Sequence, residues 1–136
     1  LKEDLVAKGF RLESTPRPDV VYISFNMEDP LLGKNANLRK ALAYAYDTET
    51  SKKKFYNDQA LIAHSPIAPG MEGFDPGFKN PHKEYNVEKA KEFLKKAGYP
   101  EGKGLPTLEY STSGSSTTRQ MAEYLAQQLE KIGVKI

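Results

Sequence analysis

Five hydroxyl side chains crowd the segment Ser111-Thr112-Ser113-Gly114-Ser115-Ser116, directly after Tyr110. An apolar-leaning run from Leu105 to Tyr110 leads in and a helical pattern leads out, so the segment reads as the turn between a strand and a helix N-terminus. The first N–H groups of a helix have no partner within it. Together with the hydroxyls they suit a carboxylate or another polar group. The same residues also make an ordinary solvated capping turn, and the loop alone does not choose between the two. It does exclude two catalytic loops. No lysine follows Gly114 as the phosphate-binding pattern G-x-x-x-x-G-K-[ST] requires, and Thr118 stands where a nucleophile elbow needs its second glycine.

Elsewhere the reactive residue types are scattered. His64 and His82 can each act as a general base, yet neither stands in a motif with a serine or a carboxylate pair, and both suit loop positions. His82-Lys83-Glu84 and Glu28-Asp29 bring nitrogen and oxygen donors without a metal-ligand spacing. A carboxylate pair for glycoside cleavage would have to be drawn from Glu28, Asp29, Asp47, Glu49 or Asp75, and no spacing selects one. There is no cysteine, which removes thiol nucleophiles, zinc–thiolate sites and redox pairs. No catalytic residue, metal or cofactor is therefore expected. Two alternatives stay open on the residues alone: a hydrolase using His64 or His82, and an interaction module using the proline- and glycine-rich segment 63–82.

The elements that position these residues are legible in pattern. Leu1 to Lys8 reads as a helix end with Leu1, Leu5 and Val6 on one side and Gly9 closing it. Phe10 to Glu13 reads as a short strand, and Pro16 and Pro18 make a joint. Val20-Val21-Tyr22-Ile23-Ser24-Phe25 is rich in β-branched and aromatic residues without alternation, the pattern of a strand covered on both faces. After a loop from Asn26 to Gly33, Asn35 or Asn37 caps a helix to Tyr46 with Leu38, Ala41, Leu42 and Ala45 as its apolar stripe. A second short helix spans 47–56, and about thirty irregular residues follow, a length that marks a wrapping or functional segment. Asn86 caps a helix over 87–97 that Gly98 ends, with Glu88 and the pair Lys95, Lys96 matched to the helix dipole. Leu105–Tyr110, a helix bearing Met121, Leu125, Leu129 and Ile132 with a capping box from Thr117 to Gln120, and Val134–Ile136 then form a β-α-β unit. Gly133 closes that helix. Most of the eight tyrosines fall on strands or helix faces as packing residues. Tyr110, beside the polar turn, is the exception.

The 136 residues make one domain, 1–136, of mixed α/β (α+β) class. Their 20 Lys+Arg against 18 Asp+Glu give a formal charge of +2, and the interspersed signs argue against a nucleic-acid face. The run Lys52-Lys53-Lys54 reads as a solvated helix flank. No apolar run is long enough to cross a bilayer, and the first residues lack a signal-peptide core. A start at Leu1 and a stop inside an apolar stretch lead us to expect a segment of a longer protein.

Several stretches, in order, resemble one family: Val21-Tyr22-Ile23-Ser24-Phe25-Asn26; Leu38-Arg39-Lys40-Ala41-Leu42-Ala43-Tyr44-Ala45-Tyr46-Asp47; Ala63-His64-Ser65-Pro66-Ile67-Ala68-Pro69-Gly70; the helix from Tyr85 to Tyr99; Leu108-Glu109-Tyr110; and Leu129 to Ile136. The series is similar to the family 5 extracellular solute-binding proteins, the oligopeptide-, dipeptide- and nickel-binding components of ABC importers. The resemblance implies a partial lobe of a two-lobed periplasmic-binding-protein-like fold, a mixed sheet flanked by helices, about a quarter of a receptor that closes by hinge motion. It implies no enzyme activity and an extracytoplasmic location, in the periplasm or on the outer face of the membrane, with the signal peptide elsewhere. The partners implied are a peptide or other small polar solute and the ABC permease subunits. Membrane contact would come only through the permease or through a lipid anchor outside this segment. In relatives the loop corresponding to Ser111–Ser116 lines the ligand cleft, so Tyr110, Ser111, Thr112, Ser113, Gly114, Ser115 and Ser116 become candidate ligand contacts. Asn26 and Met27 would form a second cleft edge, while on the residues alone the loop after Asn26 also reads as a cap for the following helix. Some oligopeptide binders carry an asparagine and a histidine in that loop, where this chain has Ser111 and the Ser116–Thr117 region.

Overall fold

A computed structural model describes residues 3–11, 13 and 15–136. Each of its longer helices begins at a residue equipped to cap it. Helix α1 spans Glu3–Ala7, α2 Ala36–Ala45, α3 Thr48–Tyr56, α4 Val87–Lys96 and α5 Ser116–Glu130, with a single 3₁₀ turn at Pro100–Gly102. The Oδ1 atoms of Asn35, Asp47 and Asn86 accept from the N–H groups of Leu38, Thr50 and Lys89, each at 3.0 Å. Such a cap satisfies one orphan donor and contributes about 1 kcal/mol. Asn35 also donates from Nδ2 to the Ala97 carbonyl at 2.9 Å, which ties the start of α2 to the end of α4.

The helix ends are as regular. After α4, the Gly98 N–H bonds Lys95 O and the Tyr99 N–H bonds Leu94 O; after α5, Gly133 bonds Glu130 O and Val134 bonds Leu129 O. This is the paired closure that a left-handed residue permits, and α1 ends the same way at Gly9. At Gly133 the choice of glycine is doubly constrained. Its φ is +81°, and a Cβ there would collide with the Glu101 carbonyl, while one on Gly102 would collide with Gly133 O.

The core lies between α2 and α4 and continues under α5. Leu38, Ala41, Leu42 and Ala45 pack with Ala90 and Leu94, and Leu108, Leu125, Leu129, Ile132 and Val134 complete the cluster. Burying each leucine or isoleucine contributes about 1.5–3 kcal/mol. The expected stripes of α2 and of the second half of α5 are thus buried, whereas Met121 is only half buried. Tyr44, outside the stripe, is buried and stacks on Phe93 at 5.5 Å between ring centroids. Its hydroxyl donates to Pro81 O at 3.1 Å, and its carbonyl accepts the Asn86 N–H at 2.8 Å, so the irregular segment is anchored where it enters α4.

The sheet is the main correction. Among the described residues the only regular elements are helical: Phe10–Glu13, Val20–Phe25, Leu105–Tyr110 and Val134–Ile136 form no strand. A strand exists only through its neighbours. The β-α-β unit is reduced to one rung, the Leu108 N–H bonding Lys135 O at 2.9 Å. The Val20–Phe25 run, expected to be covered on both faces, lies open, with Val21 70%, Tyr22 76% and Ile23 42% exposed. Only Phe25 packs against the core. Two expectations at the N-terminus also change. Val6 is exposed and α1 buries nothing, and the placements of Leu1 and of the middle of the Phe10–Glu13 run lie outside the described residues.

Candidate functional site

The hydroxyl loop sits at the N-terminus of α5. Ser115, not Thr117, is the cap: its Oγ accepts the Thr118 N–H at 3.2 Å, and the anticipated box to Gln120 does not form, because the helix starts at Ser116. Thr118 then acts as a staple. Its hydroxyl donates to Ser113 O at 2.6 Å and lies 3.1 and 2.9 Å from the hydroxyls of Ser113 and Ser115. Arg119 adds a bond from its guanidinium to Gly114 O at 3.1 Å.

These bonds divide the loop. All of its residues are exposed, but Ser113 and Ser115 bond Thr118 and hold the loop's shape, while Ser111, Thr112 and Ser116 take no part in the side-chain bonds that hold the loop among the described residues. Tyr110, expected to belong with the polar turn, is half buried and packs against the core. It anchors the loop's first residue. Thr118 and Arg119 are the residues that sequence reading missed as shapers of the loop. Their only signal is position, three and four residues past the cap, where a side chain reaches back over the turn before it.

Asn26 and Met27 belong to a different piece of architecture. Asn26 Oδ1 accepts the Glu28 N–H at 3.0 Å, and Asp29 Oδ1 accepts from Leu31 and Leu32 at 2.9 and 2.7 Å. The turn closes with the Gly33 N–H on Asp29 O, and Arg39 of α2 donates to Gly33 O at 2.9 Å. The segment is thus a lead-in to α2 with Met27 59% exposed on it. Asn26 and the loop before α5 share no hydrogen bond among the described residues. Phe25 and Tyr110, next to each, pack on the same core cluster.

Neither histidine hydrogen-bonds a serine or a carboxylate among the described residues. His82 Nδ1 lies 3.2 Å from the Tyr44 hydroxyl, with the rings edge to face, and His64 Nδ1 accepts the Asn80 N–H at 3.3 Å. No cluster of metal-ligating side chains is present among the described residues. Behind α5, Tyr124 donates to Asp47 O at 3.0 Å. Burial first, then the nearby Asp47 charge, pushes its phenol up to about 12. Tyr46, bonded to Ser51 at 2.7 Å, is also raised by burial. The Tyr124 hydroxyl ties α5 to the α2–α3 joint, and that of Tyr46 ties the end of α2 to α3. No helix among the described residues is long and apolar enough to cross a membrane.

The loop before α5 is thus a capped helix start whose hydroxyls at Ser111, Thr112 and Ser116 face solvent. The chain belongs to the bacterial extracellular solute-binding proteins, family 5, whose middle-region pattern matches residues 2–136. That family comprises solute-binding proteins, not enzymes, and the hydrolase alternative at His64 or His82 falls with it. The chain is 32% identical over 136 residues to the glutathione-binding protein GsiB of Salmonella typhimurium, covering 96% of this chain and 25% of that protein. Among solved structures it is similar to the ABC transporter substrate-binding protein CtaP of Listeria monocytogenes (30% identity, TM-score 0.68, 82% of this chain and 22% of the other). It is also similar to the oligopeptide-binding protein AppA of Bacillus subtilis in complex with a nonapeptide (25%, 0.66, 82% and 24%). The fold is accordingly part of a periplasmic-binding-protein-like fold. The chain spans about a quarter of the length of the relatives it matches.

Proposed function

We propose that residues 1–136 form a segment of one lobe of a receptor that captures a peptide or similar polar solute and delivers it to an ABC permease. The receptor would work in the periplasm or on the outer face of the cell membrane. The family match over residues 2–136 carries the transport reading, and the names of the relatives, glutathione-binding and oligopeptide-binding, point to a peptide as solute. The open Val21–Ile23 run and the single Leu108–Lys135 rung support the partial lobe, since both have the form of sheet elements with a side left to pair.

In this reading Ser111, Thr112 and Ser116, with the amides at the start of α5, receive the polar end of the solute. Ser113, Gly114 and Ser115 hold the loop's shape, Tyr110 anchors it, and Asn26 and Met27 edge the cleft from the α2 side. The test is calorimetry of the complete receptor with glutathione and with di- and oligopeptide pools. Binding is expected, and Ser111→Ala with Ser116→Ala weakens it, each lost neutral hydrogen bond contributing about 0.5–1.5 kcal/mol. No heat with any peptide, or full affinity in the double variant, would sink respectively the solute class or the loop's role.

A further inference from the structure

Away from the hydroxyl loop, a groove of about 360 Å³ opens between the first turn of α3 and the irregular segment, lined by Glu49, His64, Asn80, Lys83, Glu84 and Tyr85 among others. Its volume falls within the range of small-molecule sites, about 300–1,000 Å³. The carboxylates on its walls are already engaged. Asp47 caps α3 and also accepts the Thr50 hydroxyl at 2.7 Å, Glu49 meets Lys52 at 3.3 Å, and Glu84 accepts from Lys89 at 2.6 Å and from Asn86 at 3.1 Å.

Lys131, at the Tyr85 hydroxyl, is exposed and also bonds Gln128 without an ion pair; the cation that lines the groove itself is Lys83. It is half buried and has no ion-pair partner among the described residues, whereas Lys52 and Lys89 each hold a carboxylate. Burial pushes its ammonium below the ordinary lysine range, and no neighbouring carboxylate offsets that shift. A charge drawn out of water without a partner is unfavourable, and a bound anion would relieve it. Two more donors line the same walls. Because His64 Nδ1 accepts from Asn80, the proton of the neutral ring sits on Nε2. Because the Tyr85 oxygen accepts from Lys131 Nζ at 3.1 Å, its own proton is free to donate.

We propose that this groove is a second binding site, for the carboxylate of a small molecule, with Lys83 as counter-ion and His64 and Tyr85 as additional donors. It is independent of the role proposed for Ser111–Ser116, since no residue of that loop lines it.

The test titrates the complete receptor, ¹⁵N-labelled, with N-acetylglycine, a carboxylate without an amine, and with glycinamide, an amine without a carboxylate. Saturable shifts at the amides of Asn80, Lys83 and Tyr85 are expected with the first and not with the second. Lys83→Met should weaken N-acetylglycine binding about tenfold or more, the effect of losing a charge-assisted bond, and Lys83→Arg should largely retain it. Tyr85→Phe should weaken it severalfold. No saturable shift, an equal response to glycinamide, or unchanged affinity in Lys83→Met overturns the proposal. Should Lys83→Met lose the dispersed spectrum of the folded chain, the two probes and Tyr85→Phe decide the question by themselves.

Discussion

Replacing Gly133 by alanine tests how α5 is fixed at its far end, and the cost follows from two separable effects. The first is conformational: at φ +81° an L-residue with a side chain is less stable by about 1–2 kcal/mol. The second is steric, because the added Cβ points into the Glu101 backbone carbonyl, which cannot rotate away as a side chain would. A backbone shift of that kind costs about 1–3 kcal/mol more. Gly98 isolates the first effect: its φ is +95°, and nothing lies within 4 Å of a Cβ built there. For a chain of this size 1 kcal/mol moves the Tm by about 3–5 °C. Gly98→Ala should therefore lower Tm by about 5 °C and Gly133→Ala by about 10 °C or more, read by calorimetry and checked by urea melts with unchanged m-values. Gly102→Ala strikes the same contact from the other side, so its effect combined with Gly133→Ala should be less than additive. Equal losses at Gly98 and Gly133 would show that the close approach of the two backbones contributes nothing, and the reasoning would fail.

Three further outcomes follow from the same contacts. Asn35→Ala removes both the α2 cap and the bond to Ala97 O, and should cost about 1–2 kcal/mol in urea unfolding, against a few tenths for half-buried Asn37→Ala, which loses only a 3.5 Å contact to Lys96 O. Tyr124 has a folded-state pKa raised from 10.0 to about 12, so the stability it contributes is complete below pH 10 and is lost as pH rises toward 12. Melting temperatures should fall over that window, and Tyr124→Phe should flatten the fall; a wild-type profile without any decline would contradict the assignment. Thr118→Val leaves Ser113 O without its donor and removes the hydroxyl contact to Ser115, whose Oγ keeps the Thr118 N–H, so amide exchange across 113–116 should accelerate markedly while the Leu125–Leu129 amides stay protected.

The helices were legible because each carries its own instructions. Asn35, Asp47 and Asn86 cap locally, Gly98 and Gly133 close locally, and the stripe Leu38, Ala41, Leu42, Ala45 is buried as its spacing implies. Such signals lie within a few residues of the structure they specify. The strands were not legible in the same sense. The β-branched run at Val20–Ile23 states a preference that backbone partners must realise, and among the described residues only Leu108 and Lys135 supply one such bond between expected strands. Propensity for a strand is a statement about neighbours. The correction therefore concerns pairing, while the apolar character of the segment stands and leaves Val21 and Tyr22 open to solvent.

The two candidate sites divide along the same line. The loop before α5 was visible because its five hydroxyls fall within six residues, and what sequence missed there, the staple from Thr118, is still only three residues beyond the cap. The groove at Lys83 had no such signature. Its walls come from three separate stretches, at 47–49, 62–64 and 80–85, which meet only because Tyr44 holds Pro81 and packs against His82, and Asn80 turns its N–H onto His64. In sequence, Lys83 sits beside Glu84. In the fold, Glu84 turns to Lys89 at 2.6 Å, one turn into α4, and Lys83 is left behind without a counter-charge. An adjacent lysine and glutamate do not pair by adjacency: the capping of α4 by Asn86 sets which cation Glu84 meets. Breaking that arrangement should return the partner. With Lys89→Met, Glu84 loses its ion pair and becomes available to Lys83, so N-acetylglycine should then bind the groove more weakly, although the substitution touches no donor proposed to hold it.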